Sequence, residues 1–208
     1  MLEIVSEGGV FMWPLLLGSA LAMGLGAERA FYFWGLGSAK KSFRDQLAQA
    51  LEKGDLDRAA SLTKGAGPAQ ATAAAAVEYW GQDMAVVEAA MSAQAQEYEP
   101  ALNRYLGVLE TIVTAAPLIG LLGTITGMMS VFRTVALKLS NDPHANTTGV
   151  TAGIGEALVA TATGILVAVL ALLLHNLFQG LAESRMSEME QVAETVRFVH
   201  AKKTAKAN

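Results

Sequence analysis

Three long runs without a charged residue constrain this chain more than any other feature of its sequence. They contain 20, 22 and 26 residues. Helices of these lengths, at 1.5 Å rise per residue, would be about 30, 33 and 39 Å long, and a bilayer core is about 30 Å thick. We therefore predict three transmembrane helices, the alternative for each being a buried core helix. The runs lie between Glu7 and Glu28, between Glu110 and Arg133, and between Glu156 and Glu183.

Composition supports this prediction and removes several other classes. Hydrophobic residues make up 52% of the chain and charged residues 16%, whereas a soluble domain carries about 25% charge. The absence of cysteine excludes disulfides, thiolate metal sites and a cysteine nucleophile. The net charge of −4 argues against a nucleic-acid binder. No phosphate-binding loop, zinc-protease or hydrolase motif occurs, so we predict neither an enzyme, nor a cofactor, nor a metal site.

The distribution of Lys and Arg predicts the orientation of the helices. Residues 1–27 contain none of the 15, the segment 28–110 has eight, the loop 133–155 has two and the tail 183–208 has five. The positive-inside rule puts the basic segments in the cytoplasm and the N-terminus and the loop outside. The first run lacks the preceding basic residues of a cleaved signal peptide, so we predict that it is retained as a span.

The charged region between the first two runs has helical patterning. Phe43, Leu47 and Leu51 form one apolar stripe. Gly54-Asp55 breaks this pattern, and KGAGP at 64–68 indicates a loop. From Asp83 the helical pattern continues towards Glu110, which predicts one long helix that becomes the second span, with a kink at Pro100 or Pro117. The region has no motif of its own, which is typical of a solvated helical domain.

One face of each of the last two spans is built from small residues. Such faces let helix backbones approach closely in lipid. Two interpretations remain open: helix packing alone, or a face that borders a pore or a partner helix. In the second span the strip is Ala116, Gly120, Gly123, Thr124, Gly127 and Val131, and in the third it is Gly153, Ala157, Ala160, Thr161, Gly164, Ala168 and Ala171, opposite a bulky apolar face of Leu158, Ile165, Leu166, Val169 and Leu173.

The position of Glu156 favours the interpretation that the small face borders an ion path. A carboxylate at a membrane edge is costly and usually marks such a path, although an ordinary boundary acid facing water is the alternative. Thr124 and Thr161 come from antiparallel spans at a similar depth, about 12 and 8 Å from the outer edge. Thr163 adds a third hydroxyl, on the other side of Glu156. A threonine in a span also commonly bonds a carbonyl of its own helix, so each of these hydroxyls has a structural alternative.

The segments APLIGLLGTITGMMSVF (116–132) and GIGEALVATATGILVAV (153–169), with a late His175-Asn176 pair, resemble the ExbB/TolQ branch of the MotA/TolQ/ExbB proton-channel family. The resemblance is close over the last two spans and loose over the first span and residues 54–59. It departs where GIGEAL replaces the commoner GIAEAL and where Thr163 replaces an aliphatic residue, which leaves sodium less excluded. Three spans instead of four make the flagellar MotA branch less similar.

The resemblance implies a pentamer in the bacterial inner membrane around a dimer of a single-span ExbD- or TolR-like partner. Ion flow would then drive motion that is passed, through a TonB- or TolA-like protein, to the periplasm or outer membrane. By motif position, Thr124 and Thr161 correspond to the family's pore threonines and Glu156 to its glutamate. The chain has no intramembrane Asp of its own, so the proton-carrying carboxylate would be the partner's.

These observations together predict an all-α membrane protein with three transmembrane helices and a cytoplasmic helical region, the second and third helices extending into the cytoplasm. The predicted ion pathway is Thr124, Thr161, Glu156 and Thr163, and the predicted packing residues are Gly120, Gly123, Gly127 and Gly164. The rival function is a non-conducting oligomeric scaffold; an enzyme using Glu156 with His175 is excluded by their separation of about 28 Å on one helix. The predicted segments are the periplasmic N-terminus and first span (1–35), the cytoplasmic helical region (36–110), the second span (111–135), the periplasmic loop (136–152), the third span (153–182) and the cytoplasmic C-terminal helix or tail (183–208).

Overall fold

The computed structural model describes residues 9–39, 41–65, 67–141 and 149–207. Within these ranges the chain is helical apart from short connections and an isolated bridge between Trp80 and Gln82. The predicted all-α class is therefore confirmed. The described part contains seven helices: α1 (Met12–Gly35), α2 (Lys41–Lys53), α3 (Leu56–Leu62), α4 (Pro68–Glu78), α5 (Met84–Leu102), α6 (Leu106–Asn141) and α7 (Gly149–Ala207).

Two helical segments of the described chain are long and apolar enough to cross a membrane, Met84–Leu137 and Gly153–Ala205. Only 22% and 33% of their most apolar stretches are buried, so the chain itself leaves most of this apolar surface uncovered. The core helix of a soluble protein would be mostly buried. Helix α1 does not meet the same criterion, because Pro14, several glycines and the Glu28-Arg29 pair lower its hydropathy. The first span therefore stays a prediction.

The chain divides into two compact units, and the first comprises Met1–Glu28 and Tyr105–Leu177. In it α1, α6 and α7 pack together. Gly120 of α6 lies against Ala160 and Thr161 of α7, while Gly127 lies against Ala157. The partner numbers fall as the α6 numbers rise, so α6 and α7 are antiparallel.

Helix α1 lies against both of these helices in the first unit. Gly18 is close to Ile112 of α6 and Val167 of α7, and Gly26 is close to Leu174 further along α7. The order of these contacts makes α1 parallel to α7. The shared core is apolar and consists of Leu15, Ala116, Val167 and Ala168, with Ile112 and Ile119 packed against it.

The second unit comprises Arg29–Arg104 and Phe178–Asn208. Its core contains the predicted stripe residues Leu47 and Leu51, with Phe43 packed against them. Valines from the end of α7, at Val192, Val196 and Val199, are also fully buried there. Residues 183–207, which the sequence predicts as a C-terminal helix or tail, continue α7 and contribute to the core of this unit.

The breaks between the short helices follow the sequence signals. Gly54 has φ +74°, which favours glycine, and the Asp55 side chain accepts from Arg58 N to cap α3. Helix α3 ends at Leu62 and α4 begins at Pro68, which confirms the predicted loop, although residue 66 lies outside the described residues. The Asp83 side chain caps α5 by accepting from Ala85 N.

The prediction of one long helix from Asp83 into the second span, with a kink at Pro100 or Pro117, was wrong in that the chain breaks into two helices after Pro100. Helix α5 ends at Leu102, two residues after Pro100, and α6 begins at Leu106. Between them Tyr105 has φ +66°, a left-handed conformation that a helix cannot contain. Pro117, in contrast, lies inside α6 without ending it.

Candidate functional site

At the centre of the site α6 and α7 are in contact, and almost no side chains lie between their backbones. A Cβ added to Gly120 would lie 2.9 Å from the carbonyl oxygen of Ala160, and one added to Gly164 would lie 2.6 Å from the carbonyl oxygen of Ala116. Cβ atoms do not approach other heavy atoms this closely. Glycine at both positions therefore lets the two backbones touch, as small residues do between helices in membranes.

The contact continues along both helices. A Cβ on Gly123 would be 2.8 Å from the Ala160 Cβ, and one on Gly127 would be 2.9 Å from the Ala157 Cβ. The structure thus brings the four predicted packing glycines together in one contact within a single chain. The bulky face of α7 points away from this contact, because Leu158, Leu166 and Leu173 are all exposed.

Thr161 joins the two helices by a hydrogen bond. Its hydroxyl donates to the carbonyl oxygen of Gly120 at 2.9 Å, across the α6–α7 contact. The other two predicted hydroxyls bond their own helices: Thr124 donates to Leu121 O at 2.7 Å and Thr163 to Val159 O at 2.9 Å. Only Thr161 therefore departs from the usual bonding of a threonine within its helix.

These bonds leave each of the three hydroxyl oxygens able to accept a hydrogen bond but not to donate another. A hydroxyl has one proton and two lone pairs, and in Thr161, Thr124 and Thr163 the proton is already donated to a carbonyl. Each of these oxygens can still accept a hydrogen bond. The threonines are consequently suited to water, to hydronium or to a protonated carboxyl group, and not to a carboxylate.

Glu156 lies nearer the N-terminal end of α7 and does not share a hydrogen bond with these threonines. Its side chain is exposed and lines a cavity of about 220 Å³ in the first unit. Thr126 and Ser130, on the next turns of α6, line the same cavity. The remaining wall consists of Gly9, Val10, Phe11, Gly123, Gly127, Val131, Gly153 and Ala157.

His175 of the quoted His-Asn pair links α7 to the beginning of α6. Its Nδ1 lies 3.1 Å from the carbonyl oxygen of Leu106, the first residue of α6. A carbonyl oxygen only accepts, so this ring nitrogen must carry the proton of the bond. The bond gives His175 a structural role that needs no contact with Glu156.

Comparison with known proteins adds the deciding observation. The model of the MotA/TolQ/ExbB proton channel family matches residues 39–191, which is most of the chain. The chain belongs to this family. The matched range contains the glycine contact, the three threonines and Glu156, whereas Gly9–Phe11 and the whole of α1 lie outside it.

Two members of the MotA/TolQ/ExbB family are similar over nearly the whole chain, and a third over about half of it. A biopolymer transport protein of Synechocystis, ExbB-like 3, is 33% identical over 202 residues, covering 93% of this chain and 91% of that protein. Biopolymer transport protein exbB1 of Vibrio cholerae is 31% identical over 200 residues, covering 93% and 86%. The Tol-Pal system protein TolQ of Pseudomonas aeruginosa is 35% identical over 97 residues, covering 47% and 40%.

The sequence prediction missed the cavity beside Glu156. Thr126 and Ser130 follow Gly123 at helical spacings of three and seven residues, so the period of the glycine strip could have identified them. Nothing in the sequence indicates Gly9, because its contact with Glu156 joins positions far apart in the chain. It is this contact that distinguishes the site in the structure from the predicted one.

Proposed function

We propose that this chain is the channel and motor subunit of an inner-membrane complex that couples an ion motive force to work at the periplasm or outer membrane. The chain would cross the membrane three times, with its N-terminus in the periplasm and its C-terminus in the cytoplasm. Helix α1 supports the first of these spans, since it is about 36 Å long by its 24 residues and packs alongside the two apolar helices.

The assembly we propose is a homopentamer around a dimer of a single-span ExbD- or TolR-like partner, with a TonB- or TolA-like protein receiving the motion. The chain's apolar faces support this arrangement, because they are exposed on α6 and α7 and need lipid or protein to cover them. Membership of a proton channel family supports the ion-conducting role.

The hydrogen bond from Thr161 to Gly120 is the observation that carries the mechanism. Because the Thr161 hydroxyl donates its proton to the Gly120 carbonyl, the Thr161 oxygen can take part in a further hydrogen bond only as an acceptor. An acceptor favours the protonated form of a carboxyl group placed opposite it. We infer that Thr161 and Thr124 stabilise the partner's carboxyl group while it is protonated. Glu156 then lies on the route by which the ion reaches that carboxyl group.

The test is a set of single substitutions in the full chain, produced together with an ExbD- or TolR-like partner. Thr161→Val keeps the shape and removes the oxygen, so it should abolish proton flux into vesicles. Glu156→Ala should have the same result, while Glu156→Asp should retain part of the flux. Thr161→Ser keeps the hydroxyl and should retain most of it.

Leu166→Ala is the matched control, since Leu166 is 70% exposed on the bulky face of α7. It should leave the flux nearly unchanged. Native mass spectrometry of each variant must show the same assembly as the unmodified chain. Full flux in both Thr161→Val and Glu156→Ala would contradict the ion-path proposal and favour a scaffold that conducts nothing.

A further inference from the structure

A groove in the second unit is lined by helix α5 and the last part of α7, and its volume is about 450 Å³. Three methionines form what we call its methionine floor: Met91 on α5, and Met186 and Met189 on α7. Met91 and Met189 are only 3% and 2% exposed. Methionine side chains are flexible and polarisable, and they are common at surfaces that bind the apolar face of a helix. The groove is therefore suited to an apolar side chain that comes from another helix.

The edge of this groove is negatively charged. Glu183 and Glu190 of α7 line it and are exposed, and we call this pair the acidic rim. Glu88 and Arg197 also line the groove, and they form an ion pair with 2.7 Å between Arg197 Nε and Glu88 Oε1. Three carboxylates and one guanidinium give the lining residues a net charge of −2. A positively charged occupant is therefore favoured.

The end of α7 has the opposite properties. Phe198 is 69% exposed, and residues 198–207 contain three lysines and no acidic residue. Phe198 does not line the groove, because it lies about 100° around the helix from Arg197 at 3.6 residues per turn. The second unit thus carries an apolar groove with an acidic rim and, on another face, an exposed aromatic side chain at the start of a basic segment.

These two surfaces cannot meet within one chain. Helix α7 is continuous from Gly149 to Ala207, and its residues 183–197 form one wall of the groove. A continuous helix cannot bend back onto its own preceding turns. The end of α7 can therefore enter such a groove only in another copy of the chain.

We propose that the groove binds the end of α7 of a second copy of this chain, with Phe198 of that copy on the methionine floor and its lysines beside the acidic rim. Contacts between an aromatic ring and methionine sulfur are favourable. Because the groove and Phe198 are different surfaces, the contact is heterologous, and heterologous contacts form rings when the rotation closes. Closure into a ring of five rests on the proposed function, whereas the contact itself does not.

The first test is disulfide cross-linking between copies, which is clean because the chain has no cysteine. Two differently tagged full-length chains are produced in one membrane, one with Phe198→Cys and the other with Ser92→Cys. Ser92 is an exposed residue of the groove on α5. Oxidation with copper phenanthroline should give a dimer that carries both tags.

Ala60→Cys is the matched control for Ser92→Cys, since Ala60 is exposed on α3 and does not line the groove. It should give at most about a tenth of the mixed dimer, because its thiol lies away from the contact. Equal yields from the two positions, or no mixed dimer with Ser92→Cys, would overturn the proposal. Dimers joined through position 198 of both chains would show an isologous contact and would overturn it as well.

The second test concerns the charges. Glu190→Lys in the chain with Ser92→Cys should lower the rate of cross-linking by about fivefold, because it repels the lysines of the other copy. Lys203→Glu in the chain with Phe198→Cys should restore part of this rate. A defect confined to the folding of the first chain would not be reversed by a change in the second, so a loss without restoration would contradict the role of the acidic rim.

The third test removes the aromatic ring alone. Phe198→Ala should raise the protein concentration at which the assembly half dissociates in detergent by about tenfold, as the loss of a central aromatic contact does, with an unchanged melting temperature of the chain. Leu56→Ala, at a residue of the same unit that is 39% exposed, should leave that concentration unaltered. Equal dissociation of the two variants would contradict the role of Phe198.

The outcomes for this contact and for the proposed function are separable. A mixed dimer from Phe198→Cys and Ser92→Cys, combined with no proton flux in the unmodified chain with its partner, would uphold the contact and refute only the proposed function. Full flux without any mixed dimer would overturn the contact and leave the proposed function in place.

Discussion

At the scale of single residues, Arg29 has a structural role that a count of charged residues does not reveal. In the sequence it is one of the basic residues that follow the first apolar run. In the structure it is 1% exposed, and its guanidinium donates to the carbonyl oxygen of Ala101 at 2.9 Å. It also lies 4.5 Å from the centre of the Tyr32 ring. Arg29 therefore caps the last turn of α5, where a positive charge is favourable.

We predict that Arg29→Met lowers the free energy of unfolding of the second unit by about 1.5–3 kcal/mol, the contribution typical of a hydrogen bond from a charged group. Arg29→Lys should recover only part of this, since Lys lacks the planar group that stacks on an aromatic ring. Thermal unfolding in detergent measures the effect. Arg58→Met, at an exposed arginine of α3, should cost much less, and an equal loss in both would contradict the capping role.

At the scale of helices, the α6–α7 contact determines how the chain tolerates added volume. Gly164→Leu would place a branched side chain where even a Cβ is 2.6 Å from the Ala116 carbonyl. Overpacking of this kind costs 1–3 kcal/mol or more, so we predict a clearly lower melting temperature. Because the facing atoms belong to the same chain, the first effect of this change is on the packing of α6 against α7.

Gly155→Leu is the matched control on the same helix. Nothing lies within 4 Å of a Cβ at Gly155, so this change should leave the melting temperature of the chain in detergent nearly unaltered. Equal melting temperatures for Gly164→Leu and the unmodified chain would show that α6 and α7 do not pack as described.

The helices and their faces could be predicted from the sequence because periodicity is a local property. The small strip of α7, the stripe of Phe43, Leu47 and Leu51, and the glycine break at 54 all follow from neighbours within a few turns. The acceptor of the Thr161 hydroxyl proton could not be predicted, since Gly120 is 41 residues away. The same holds for Gly9 at Glu156 and for the burial of Val196 at the far end of α7.

At the scale of the whole molecule, the membrane topology is the feature that most needs a direct measurement. The basic residues predict that residues 28–110 and 183–208 are cytoplasmic. Single cysteines at Gln49 and Ala205, both exposed, should therefore resist a membrane-impermeant thiol reagent in intact cells. Cysteines at Val10 and Asn146 should react, although residue 146 lies outside the described part of the chain.

Breaking the cells open gives the internal control, because all four positions should then react. Labelling of Ala205→Cys in sealed cells would rule out three spans with the C-terminus inside. Protection of Val10→Cys in sealed cells, together with labelling of Asn146→Cys, would mean that α1 does not cross the membrane.

The contact between α6 and α7 also limits how this sequence can diverge. Glycine is the smallest residue, so every codon change that alters the amino acid at Gly120 or Gly164 adds atoms where neighbouring backbone lies within 3 Å of a Cβ. A substitution at either glycine is therefore not neutral unless the facing helix changes at the same time. The facing residues Ala116 and Ala160 are already small, so they can lose little volume. The exposed leucines of α7 can be exchanged for other apolar residues, whereas Gly120 and Gly164 cannot be enlarged without a matching change in the facing helix.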